Sequence, residues 1–91
     1  MRTLTEDALI MLMGENGMQI LDSMRLGPVS PETIHMLTGL PDACISTRIP
    51  VMEKMGLISK TKSGYELDSL GRQLLEKANG MAMFGKVSFQ A

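Results

Sequence analysis

Apolar residues recur at helical spacing along most of the first 56 positions, and the spacing changes to alternation only around residues 57–67. Over residues 5–13 the pattern predicts a helix that is apolar nearly all round: Leu4, Ala8, Leu9 and Leu12 share one face, while Ile10, Met11 and Met13 lie elsewhere. Such a helix needs partners on two sides. Gly14 and Gly17 in "GENG" punctuate it, and Met18, Ile20, Leu21 and Met24 mark a second amphipathic helix that ends at "LGP". Val29 is expected to make a one-residue strand contact.

"SPETIHMLTGL" carries start and stop signals for a helix of about two turns: Ser30 as N-cap, Pro31 at the first helical position, Ile34 and Leu37 facing inward, and Gly39 as a left-handed C-cap. Pro41 opens a further helix in which Ile45, Ile49, Met52 and Gly56 share a face, and two helices joined by a tight glycine turn have helix-turn-helix geometry. "LISKTKSGYEL" reads as a hairpin with the three-residue loop Lys62-Ser63-Gly64. Asp68 is placed to cap a final helix whose Leu70, Leu74 and Ala78 line one side, up to Asn79-Gly80. The expected organisation is one domain over residues 1–80, followed by a tail, 81–91, that is either flexible or a docking segment. In class it is mainly α with a small β-hairpin, a three-helix core plus the hairpin with an extra N-terminal helix and a C-terminal helix.

Composition trims the functions this chain can have. With 91 residues, of which 44% are hydrophobic, it can build a modest core without disulfide or metal staples. The single Cys44 cannot pair within the chain, and no Cys/His cluster has metal-ligand spacing, so no metal or cofactor is expected. The apolar run Ala8–Met13 fits neither a signal peptide nor a membrane span, and the expectation is a cytoplasmic protein without membrane contact. Net charge is only −1, but it is unevenly placed. Acidic residues dominate positions 1–43, whereas positions 44–64 carry Arg48, Lys54, Lys60 and Lys62 against Glu53 alone. By themselves four basic residues fit a solvated surface as well as a nucleic-acid footprint.

The order of elements, with "ILDSM", "GPVSPETIHMLTGL", "STRI" leading to "MEKMGLI", and "YELDSLGRQLL", resembles the winged helix-turn-helix regulators of the ArsR and MarR type over roughly residues 17–78. The resemblance implies a DNA-binding transcriptional regulator, with the helix of residues 41–55 in the major groove of duplex DNA and the wing of residues 58–67 beside the phosphates. Winged helices also serve as protein-interaction adaptors, which is the alternative reading.

Pro50 complicates the reading helix, because an interior proline removes a hydrogen bond and crowds the preceding turn. Counted from Ile45 at about 100° per residue, Ala43, Ser46, Thr47, Pro50 and Lys54 fall on the outer side. The pattern therefore predicts a kink or break near Thr47–Pro50. Ala43, Ser46 and Thr47 would then meet base edges, and Arg48, Lys54, Lys60 and Lys62 would hold phosphates. Asp42 at the helix entrance suits the helix dipole but opposes phosphate.

Other chemistry is thin. Cys44 reads as a small packing residue rather than a redox switch, and His35 as a helix-surface histidine. Ser46, Asp68 and His35 make the residue set of a hydrolase triad, yet none sits in a nucleophile elbow, so no enzyme is expected. The chain has 10 Met against three aromatic residues. Met18, Met24, Met52 and Met55 fit the core by spacing, while Leu9, Met11 and Met13, with Met81 and Met83 of the tail, suggest a homodimer interface. The plainer alternative is that the first helix lies across its own domain.

Overall fold

The computed structural model describes residues 5–80. Helix α1 (Glu6–Ser23) starts at Thr5, whose hydroxyl accepts the Ala8 N–H at 3.1 Å, with Glu6 and Asp7 in the favourable first turn. The two helices expected on either side of "GENG" are present as the two segments of α1, which meet at a kink. The break is confined to Gly14, at φ 69° and ψ −178°, a conformation essentially reserved for glycine. Beyond Gly14 the helix resumes, and Gly17, Met18, Ile20 and Leu21 are buried.

Helix α2 (Pro31–Thr38) has its expected ends. Ser30 Oγ accepts the Thr33 N–H at 3.2 Å, and Gly39, at φ 75°, donates its N–H to the His35 carbonyl. Only Ile34 of α2 is buried; Leu37, expected to face inward, is 63% exposed, because a helix this short turns just one narrow stripe to the core. Gly39, Leu40 and Pro41 lead into helix α3 (Asp42–Lys54), whose Ile45, Ile49 and Met52 are buried. Of the kink or break expected near Thr47–Pro50, the break is absent: α3 runs through Pro50. Pro50 is exposed, so water can serve the Ser46 carbonyl that lacks a proline N–H.

Gly56, at φ 80°, reverses the chain into strand β1 (Ile58–Thr61), which pairs antiparallel with β2 (Gly64–Leu67), Thr61 opposite Gly64. That register leaves two residues, Lys62 and Ser63, in the turn rather than three. Gly64 belongs to the strand, and its reason is tertiary: Val29 exchanges both backbone hydrogen bonds with Tyr65, at 2.8 and 2.9 Å, and a side chain on Gly64 would strike the Val29 carbonyl. The expected one-residue strand contact of Val29 is thus present.

Helix α4 (Ser69–Gly80) follows Asp68, whose carbonyl accepts the Arg72 N–H at 2.9 Å. The Asp68 carboxylate does not cap the helix; it accepts a 2.7 Å hydrogen bond from Ser59 Oγ across the hairpin. Leu74, Leu75 and Ala78 are buried, Leu75 widening the face that the sequence indicated.

One apolar core joins all four helices and the hairpin, with Met18, Ile20, Leu21, Ile34, Met52, Leu57 and Leu74 fully enclosed. The first half of α1 closes it against α4, where Lys77 Nζ lies 3.5 Å from Asp7 and 3.9 Å from Glu6. Leu9 and Met13 are therefore buried within the chain, whereas Met11 is 80% and Leu12 60% exposed. Met81 and Met83 lie outside the described residues. The architecture is mainly helical with a small two-stranded antiparallel hairpin, and among the described residues no helix is long and apolar enough to cross a membrane.

Candidate functional site

Helix α3 is held from two sides. At its start, His35 Nδ1–H donates to the Leu40 carbonyl at 2.7 Å, which bridges the turn between α2 and α3 and puts the same ring nitrogen 3.5 Å from Asp42 Oδ1. At its end the Leu57 N–H donates to the Met52 carbonyl at 3.0 Å as the chain turns into β1. With Ile45, Ile49 and Met52 fixed in the core, the outer stripe is set.

Ala43, Ser46, Thr47 and Lys54, together with Pro50, are all exposed on that stripe. Their polar groups are small and locally engaged: Thr47 Oγ1 reaches the Ala43 and Cys44 carbonyls at 2.9 and 3.0 Å, and Ser46 Oγ reaches the Ala43 carbonyl at 3.3 Å. Each hydroxyl keeps acceptor capacity while donating inward. Arg48 stands apart from the stripe, about 60° from Ile45 on the helix wheel; it is half-buried, and its Nε is enclosed without a hydrogen-bond partner. Lys60 of β1 and Lys62 of the turn are both exposed. Cys44 is half-buried, 3.9 Å from the Asn16 amide of α1, in keeping with a packing role.

A second feature escaped the sequence reading. Where the start of α2, one flank of α3 and Tyr65 of β2 meet, they enclose a groove of about 330 Å³. Ile45, Ile49 and Pro50 line it with Tyr65, and Glu32, Asp42 and Glu53 supply its charge. No signal in the sequence joins these three acids, which are separated along the chain. A larger hollow of about 660 Å³ lies at the end of α1, beside Leu26 and Leu37. Among the described residues no group of three or more His, Cys, Asp or Glu side chains is placed to hold a metal ion. His35, Ser46 and Asp68 make separate local hydrogen bonds, His35 to Leu40, Ser46 to Ala43 and Asp68 to Ser59.

Comparison with protein-family models, with curated proteins and with solved structures finds no match to this chain.

Proposed function

We propose that this chain is a winged helix-turn-helix DNA-binding protein, a transcriptional regulator that sets the front of α3 in the major groove and the β1–β2 wing on the adjacent phosphates. The observation that carries the reading is the α2–Gly39–α3 pair, whose outward stripe of small side chains, Ala43, Ser46 and Thr47, is exposed beside an exposed basic wing. Small hydroxyl and methyl groups suit base edges and thymine methyls. Lys54, Lys60 and Lys62 supply phosphate contacts, which position the protein without reading sequence. Arg48 has a secondary part in this scheme, since its half-buried guanidinium is directed off the stripe. The active species in this reading is a homodimer, paired through the exposed Met11 and Leu12 of α1.

The test is a fluorescence-anisotropy titration against a random-sequence duplex over a range of salt, with a Lys60→Ala, Lys62→Ala double variant alongside. Affinity should fall steeply with salt, and the double variant should flatten the log–log slope by about 1.8, two phosphates at roughly 0.9 each. Absence of duplex binding at low salt would overturn the proposal and leave the adaptor reading, in which a protein partner is held instead. That second reading is favoured by one observation, the acidic groove beside α3.

A further inference from the structure

From the groove between α2, α3 and β2 we infer a docking site for a basic, apolar peptide segment of a partner protein. One Arg or Lys would lay its stem on Ile45, Ile49 and Pro50 and set its charged head among Glu32, Asp42 and Glu53. The groove shares Ser46 with the DNA-reading stripe, but the inference does not depend on that reading.

Three observations point to that occupant. The floor is apolar and the charged lining residues are all acidic, so the stem and head of a long cationic side chain each find their match. Among the described residues neither Glu32 nor Glu53 has an ion-pair partner, and the only one near Asp42 is His35. Secondly, helix stability accounts for only part of the acidity. Glu32 and Asp42 sit in the first turns of α2 and α3, where the dipole favours carboxylates, but Glu53 sits in the last turn of α3, where the dipole opposes one. A cation in the groove would offset that charge at the C-terminal end of α3. Thirdly, Ser46 and Pro50 both line the groove, and residue 50, being proline, offers no N–H to the Ser46 carbonyl. That carbonyl keeps unused acceptor capacity beside the groove.

The volume, about 330 Å³, is at the small end of ligand sites and fits one or two side chains rather than a folded element. Tyr65 also lines the groove, and a guanidinium over the face of its ring would gain a cation–π contact.

The experiment is an anisotropy titration of the full chain against a fluorescein-labelled hexapeptide of alternating leucine and arginine. Two control peptides replace the leucines by serine or the arginines by glutamate. Binding is expected for the first peptide only, and the Glu32→Gln, Glu53→Gln double variant should weaken it about five- to tenfold, as two solvent-accessible ion pairs allow. Glu76→Gln, an exposed change on α4, should leave it unaltered. The inference is overturned by absence of binding at about 1 mM peptide, by equal binding of the serine peptide, or by equal losses in the Glu76→Gln protein, which would mark diffuse charge attraction. Circular dichroism of both variants verifies the fold. Duplex binding by the wild type is scored separately, so the DNA reading can fail while the groove stands, or the reverse.

Discussion

Gly71 is the position where local preference and tertiary packing disagree most sharply. It lies in the first turns of α4, where alanine would favour the helix by about 1 kcal/mol. A methyl group there would overlap the Leu57 carbonyl oxygen, lie 3.1 Å from its carbon and come within 3.4 Å of Leu67 Cδ2. The carbonyl cannot easily retreat, because it accepts the Asp68 N–H at 2.9 Å and Leu57 is fully buried. Nor can α4 lift away, since Leu74, Leu75 and Ala78 anchor it in the core. Overpacking of this kind costs about 1–3 kcal/mol, and loss of the Asp68–Leu57 hydrogen bond adds about 1 kcal/mol. Set against the helix gain, Gly71→Ala should destabilise the protein by about 2 kcal/mol, equivalent to roughly 10 °C in Tm for a domain of this size. Urea and thermal unfolding followed by circular dichroism measure it, with Gln73→Ala, an exposed change on the same helix, expected to stay within about 0.5 kcal/mol of wild type. A Gly71→Ala protein as stable as wild type, or more so, would refute the close approach of α4 to the hairpin.

Gly14→Ala tests the break in α1: no atom crowds a new methyl there, so backbone strain alone should cost about 1–3 kcal/mol in urea unfolding, and an unchanged midpoint would mean that α1 can run straight through. For the homodimer, sedimentation equilibrium at micromolar concentration should show a dimer that a Met11→Ser, Leu12→Ser variant converts to folded monomer; a monomeric wild type would remove the idea.

What the sequence disclosed was chiefly local. Ser30 and Gly39 act through hydrogen bonds within a few residues of themselves and Pro31 through its fixed φ, so the ends of α2 were readable from the chain alone. Ile45, Ile49 and Met52 were readable by period, because α3 is long enough to define a face. Leu37 was not, since a helix of eight residues presents two candidate inner stripes and the neighbouring elements decide between them. Gly64 was read as a turn residue, but the approach of Val29 is what requires it, and Gly71 carried no local sign of its part against Leu57. Pro50 suggested a kink or break because it removes one hydrogen bond and crowds the preceding turn, but the buried Ile45, Ile49 and Met52 on either side of it hold α3 as one helix. The outer stripe of α3 was legible by the same period as its inner face. The acidic groove was hidden because each of its carboxylates comes from a different turn of chain, and only the folding of α2 against α3 and β2 brings them together.

The bridge between Val29 and Tyr65 has a mechanical consequence. The hairpin is tied to the helix pair twice, before α2 through Val29 and after α3 through β1, so neither can pivot without breaking paired backbone hydrogen bonds. The spacing between the stripe of α3 and the tip of the hairpin is thereby fixed as in a caliper, before any partner arrives. A ligand that matches this gauge loses little affinity to ordering of the protein, and one that is too wide or too narrow has to strain the Val29–Tyr65 pair to be accommodated.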